Sequence, residues 1–193
     1  MTLEGMTLLV GSSEKSQALL QSLLNGTGFS QCTLAQNGAE ARRMLTQGEY
    51  TLVIINTPLT DEPGIDLAVK TAQSTLAGVI LLVKAEMADI ISQKVEDSGV
   101  LVVAKPVSRP LFDQALRLSM TARNRMLMLQ NQNEKLQKKI EEMRMVDRAK
   151  CALIQYLRMT EQQAHRHIEK QAMDTRQTKM QVARDIVNTY EMI

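Results

Sequence analysis

Few residues in this chain could do chemistry, and their spacing excludes most of it. His165 and His167 are the only histidines. Two positions apart on a helix places side chains about 200° from each other, so the pair cannot share a metal and is expected as exposed polar surface. Gly11-Ser12-Ser13-Glu14-Lys15-Ser16 follows an apolar run and opens an amphipathic stretch, faintly like a phosphate-binding loop. Such a loop needs a first Gly farther upstream and a Gly just before the Lys, so that backbone N–H groups can wrap the phosphates. Glu14 stands there instead and would repel them, which leaves a strand-to-helix turn. Cys32 and Cys151 lie far apart in different kinds of segment, a pattern of reduced cytosolic thiols rather than a disulfide framework. The methionines read as core filling at helical spacing. No set of nucleophile, base and orienting group is visible, so we expect neither catalysis nor a cofactor or metal.

The elements that must position the remaining candidates change character along the 193 residues. Short apolar runs at Thr7–Val10, Cys32–Ala35, Thr51–Ile55, Val79–Val83 and Leu101–Val103 alternate with helix-like stretches. These stretches lie near Lys15–Leu24, Gly38–Gln47, Gly64–Gln73 and Met87–Asp97, with another from Arg109 onward. Five strands alternating with helices imply a parallel sheet covered on both faces, an α/β doubly wound, flavodoxin-like domain over residues 1–118. From Leu111 to Leu157 there is no Gly or Pro, and the composition favours helix. A coiled-coil linker is expected over 119–145 and an all-α three-helix module over 146–193.

Charge divides along the same line. Through Arg117 there are 9 Lys and Arg against 12 Asp and Glu, a balance of −3; from Leu118 onward the counts are 14 and 9, a balance of +5. A basic second part fits contact with nucleic acid. The scarcity of aromatics argues against a stacking platform for bases. No long uncharged apolar run is present, and the first ten residues lack a basic stretch and cleavage site, so a cytoplasmic location without membrane contact is expected.

In the linker, Met126, Asn133 and Ile140 fall at heptad position a, and Ala122, Leu129, Leu136 and Met143 at d. A buried Asn at a pairs with its twin and favours a parallel two-stranded register, so a homodimer is expected. The alternative is one amphipathic helix packed on its own domain. Beyond it, Thr160 with Gln163 and Thr178 with Gln181 form two capping-box patterns that start the second and third helices of the module. The stripes expected to meet in its core are Val146, Leu153, Ile154 and Leu157; Ala164, Ile168 and Ala172; and Val182, Ala183, Ile186, Val187 and Tyr190.

The α/β part resembles the receiver domain of two-component response regulators. The resemblance is carried by LLVGSSEKSQALLQSLL, TLVIINTPLTDEPGIDL, VILLVKAEM and VVAKPVS. It implies a phosphorylation site built from carboxylates after the first strand, an Asp ending the third, a hydroxyl residue after the fourth and a Lys after the fifth. Here Gly11, Ser12 and Ser13 follow the first strand, Asn56 holds the acceptor position, and Lys84 stands where the hydroxyl belongs. Only Lys105, followed by Pro106, keeps the family identity. An amide oxygen is too poor a nucleophile to make an acyl phosphate, and Mg²⁺ wants anionic oxygens. The expectation is a degenerate pseudo-receiver that is not phosphorylated, with Lys84 and Lys105 placed to hydrogen-bond Asn56 or Glu86, or to hold an anion. Its remaining use would be contact with a regulatory protein, control of the dimer, or an unknown ligand.

The segment from Asp147 to Val187 is similar to the ANTAR domain of transcription antitermination regulators. The likeness lies in Ala149-Lys150, Thr160-Glu161-Gln162-Gln163-Ala164, Ile168, Ala172-Met173-Asp174-Thr175-Arg176 and Val182-Ala183, with Cys151 a mild departure from a small residue. The resemblance implies binding, as a dimer, to tandem stem-loops in nascent leader RNA. Candidate RNA contacts are Lys150 with Ala149 beside it, then Arg148, Arg176 and Lys179, then Arg158, His165, Arg166 and Lys170. The rival expectation is a dimeric protein-interaction adaptor, or a response regulator that does not bind RNA.

Overall fold

The computed structural model describes residues 5–29 and 31–191. The chain divides into two compact units, Met1–Met128 and Leu129–Ile193. The first is the expected doubly wound domain. Strands β1 (Thr7–Gly11), β2 (Cys32–Ala35), β3 (Leu52–Asn56), β4 (Gly78–Lys84) and β5 (Val100–Lys105) alternate with helices α1 (Glu14–Leu24), α2 (Gly38–Gln47), α3 (Ile65–Ser74) and α4 (Ala85–Val95). All pairings are parallel, in the order β2-β1-β3-β4-β5. Strand order reverses beside β1, so the carboxyl ends of β1 and β3 flank the crevice where such sheets hold ligands.

Alternation along each strand splits the apolar residues between two cores. Leu8, Val10, Val53, Ile55, Leu81 and Val83 pack on one face against Ala41 of α2, Leu67 and Ala68 of α3, and Ile91 of α4. Leu9, Leu52, Ile54, Ile80 and Leu82 pack on the other against Leu20, Leu23 and Leu24 of α1 and the start of α5 (Arg109–Leu157). Phe112, Ala115, Leu116 and Met120 carry α5 onto the sheet. Gly78 lets α5 lie close to β4: a Cβ there would meet the side-chain ends of Ser119 and Met120, which would have to shift.

The second unit contains the rest of α5, then α6 (Glu161–Thr175) and α7 (Lys179–Glu191). Thr160 caps α6, accepting from the Gln163 N–H while the Gln163 side chain accepts from the Thr160 N–H at 2.9 Å. Thr178 and Gln181 exchange the same pair of bonds at the start of α7, at 3.0 and 3.2 Å. Ala164, Ile168 and Ala172 meet Val182, Ala183, Ile186 and Val187 in one core, with Tyr190 partly buried against it. The expected α5 stripe needs correction. Ala149, Ala152 and Leu153 fill the core, whereas Ile154 and Leu157 remain exposed at 38% and 44%. Two alanines let α6 and α7 approach closely, which turns Ile154 outward, and Leu157 closes the helix beyond the reach of the bundle. Both exposed residues continue the heptad register, Ile154 at a and Leu157 at d.

Candidate nucleic-acid interface

At the carboxyl edge of the sheet, Asn56 is buried at the end of β3. Lys105, ending β5, donates from Nζ to Asn56 Oδ1 at 2.9 Å and to the Thr57 carbonyl. Partial burial, and secondarily the neighbouring Lys84, hold the Lys105 pKa below its ordinary value. Lys84 pairs in register with Lys105 across the strands but is exposed. The loop after β1 is polar without being acidic. Ser13 caps α1 through a reciprocal box with Ser16, Ser12 donates weakly to the Pro58 carbonyl at 3.5 Å, and Gln17 donates to the Gly11 carbonyl at 3.0 Å. Gly11-to-Ser16 is thus an ordinary capped turn. The place where a receiver would gather carboxylates and a cation holds an internal ammonium on an amide.

The loop beyond Asn56 is tied down by contacts that sequence alone did not reveal. Asp61 accepts from the N–H groups of Gly38 and Ala39 at 2.9 Å each, and these bonds lower its pKa. An anion at a helix start also meets the positive end of the helix dipole. Arg42 grips Glu62 with two bonds, at 2.5 and 2.8 Å.

In the second unit the expected contact residues separate into two groups. Lys150 is already engaged, with Nζ 3.0 Å from Asp147 and 3.6 Å from Glu161, and only 16% of its side chain is exposed. The Asp147 bond, foremost among these contacts, raises its pKa. Lys179 and His165 both reach Glu169, at 2.6 and 3.3 Å, and Lys179 above all lowers the Glu169 pKa. Ala149 has no exposed surface and packs in the core of the helical module, so it is not itself placed to touch a ligand. In contrast, Arg158, Arg166, Lys170 and Arg176 are exposed and have no side-chain ion pair or hydrogen bond among the described residues. His165 and His167 are both exposed, and among the described residues no cluster of His, Cys, Asp and Glu is placed to hold a metal.

Two of those arginines occupy left-handed backbone positions: Arg158 follows α5 at φ 56° and Arg176 caps α6 at φ 54°. The Arg176 N–H bonds the Met173 carbonyl at 3.3 Å, and the Gln177 N–H bonds the Ala172 carbonyl at 3.0 Å. Glycine is the usual residue in this helix-ending turn because a Cβ is strained there. Arg176→Gly should therefore raise the stability of the unit by about 1 kcal/mol, read as a higher urea midpoint. A lower midpoint would mean that the arginine side chain itself holds the turn.

Two basic residues were missed in the sequence. Arg144 and Arg184 are exposed and, with Arg148, line a groove of about 300 Å³ between α5 and α7. Their i, i+4 spacing on α5 was visible for Arg144 and Arg148; the approach of Arg184 depends on how the helices pack.

The chain joins a doubly wound domain through a long helix to a small helical module. Residues 134–187 match the family model described as the ANTAR domain. Over 170 residues the chain is 26% identical to the transcriptional regulatory protein PdtaR of Mycobacterium tuberculosis, covering 88% of this chain and 83% of that one. Among solved structures, it resembles a response regulator receiver domain protein from Clostridium thermocellum, with TM-score 0.56 and 19% identity, covering 65% of this chain and 99% of that chain. It also resembles the receiver domain of an HD domain-containing protein from Pseudomonas fluorescens, with TM-score 0.57 and 24% identity, covering 66% and 95%. The chain thus joins a domain with the receiver fold to a segment that matches the ANTAR domain. Among the described residues no helix is long and apolar enough to cross a membrane.

Proposed function

We propose that this chain is an RNA-binding transcription antiterminator that acts as a dimer on tandem stem-loops of nascent leader RNA. Holding the loops stabilises an RNA structure that excludes the terminator hairpin, so polymerase reads through. The observation that carries this is the set of exposed arginines and lysine with no partner among the described residues, Arg158, Arg166, Lys170 and Arg176. Phosphate contacts need such free cations, and loop bases can be read by guanidinium planes where aromatics are scarce. Two modules on one coiled coil would engage two loops, which raises affinity through effective concentration. Lys150 and Lys179 would join only by exchanging their carboxylate partners for phosphate.

The test is a gel shift with a pool of two-hairpin RNAs, using the unaltered chain, Lys150→Ala, and the triple change of Arg158, Arg166 and Arg176 to Ala. Loop-dependent binding should fall about 10²-fold in the triple variant, with loss of three phosphate contacts also flattening its salt dependence. Lys150→Ala should change it far less. If no member of the pool is retained even at low salt, the adaptor reading replaces this one.

Control through the receiver is proposed to come from a regulatory protein rather than phosphorylation. Acetyl phosphate with Mg²⁺ should leave no phosphoryl adduct on the unaltered chain. Asn56→Asp should remain unlabelled too, because Ser12 and Ser13 bring no carboxylate to hold Mg²⁺ beside it. A stable adduct by mass spectrometry on the unaltered chain would overturn this part.

A further inference from the structure

We propose that the groove between α5 and α7 is a binding subsite for one unstacked nucleotide of the RNA loop, an inference that rests on the RNA-binding reading above. The groove is lined by Glu141, Arg144, Met145, Arg148, Met180 and Arg184. Arg144 and Arg184 bring two exposed guanidinium groups to it against the single Glu141 carboxylate, an excess of positive charge that complements a phosphate. Its apolar lining comes from the half-buried thioethers Met145 and Met180. Methionine is soft and polarizable and forms favourable contacts with aromatic faces, and guanidinium planes stack on bases. The site therefore offers both halves of what a nucleotide needs, a cationic rim for phosphate and an apolar floor for the base, in a chain without tryptophan. A volume of about 300 Å³ lies at the lower end of small-ligand sites, the size for a single base rather than a helix end.

Position on α5 keeps the groove accessible in a dimer. At about 100° per residue, Glu141, Arg144, Met145 and Arg148 centre about 120° around the helix from Leu136, Ile140 and Met143. Pairing of two chains through that stripe would leave the groove uncovered.

The experiment uses the full chain, a two-hairpin RNA selected from a randomised-loop pool with the unaltered protein, and copies of that RNA with an abasic site walked through each loop. Arg144→Ala and Arg184→Ala are read by fluorescence anisotropy, with circular dichroism confirming that these exposed substitutions leave the helices intact. Each should weaken binding about tenfold. One abasic position should weaken the unaltered chain by a similar factor but have little further effect on Arg184→Ala, because base and arginine act in one contact. Arg184→Lys should retain the salt dependence while losing the sensitivity to that abasic position. Variants that bind within twofold of the unaltered chain, with the same abasic profile, overturn the subsite while leaving RNA binding in place. Failure of the unaltered chain to bind any hairpin RNA overturns both.

Discussion

Glu at both Leu136 and Ile140 should give a monomer under conditions where the unaltered chain sediments as a dimer. Leu129, Leu136, Ile140 and Met143 are 53%, 61%, 44% and 51% exposed in the single chain, and they recur at the a and d spacing of a two-stranded coil. Every residue from Leu129 to Glu141 is exposed. An isolated helical segment of this kind is marginal in water unless a partner covers its apolar side. Burying one such side chain is worth about 1.5–3 kcal/mol when complete. Removing four across a dimer, and adding facing charges, should weaken association about 10³-fold or more. Sedimentation equilibrium reads the change directly, and far-UV circular dichroism should show the linker fraying with it. A variant that remains dimeric would place the contact elsewhere. Ile154 and Leu157, which continue the register, would then be the first positions to examine.

Phe112→Ala should cost the first unit about 3–5 kcal/mol. Phe112 is fully buried, among the largest such side chains in the protein, and packs with the α1 and sheet residues Leu20, Ile54 and Leu82 in one core. Domains of this size are stable by only about 5–15 kcal/mol, so the loss is a large share of the whole. The cavity left behind is flanked by the sheet, whose strands cannot close in without breaking their pairing. Urea unfolding followed by tertiary signals of the first unit should show a midpoint well below that of the unaltered chain. The core of Ala164, Ile168 and Val182 contains no residue of this cluster and should keep its own transition. A shift worth less than about 1 kcal/mol would show that neighbouring side chains collapse into the space.

The sheet could be read in the sequence because buried parallel strands are continuous apolar runs, and the helix-like stretch at Gly38–Gln47 coincides with α2, which Asn37 caps in the structure. Both helix starts in the ANTAR unit were equally readable, since a Thr with a Gln three residues on is a local device. What eluded the sequence was tertiary. Ile154 and Leu157 share apolar character with Leu153, and only the close approach permitted by Ala149 and Ala152 decides which of them is buried. Lys150 looked prominent for standing among small and apolar residues, yet Asp147 and Glu161 hold it, the second of these from across a turn. The Asp61 bonds to the start of α2 and the pairing of Arg42 with Glu62 join residues about twenty positions apart, beyond any local pattern. Arg184 was overlooked for the same reason, because nothing within α7 shows that it faces Arg144 and Arg148.

The Thr-and-Gln caps on α6 and α7 bear on how this protein can be interrogated. Their hydrogen bonds join neutral groups, so added electrolyte leaves them nearly untouched, whereas it weakens interactions between exposed charges, largely screening those more than about 10 Å apart at 0.1 M. The framework of the ANTAR unit, two uncharged clasps around an apolar centre, should therefore keep its shape across a wide range of ionic strength. Changes in nucleic-acid affinity over that range would then count displaced counterions rather than unfolding protein, giving the number of phosphates held without a structure of the complex.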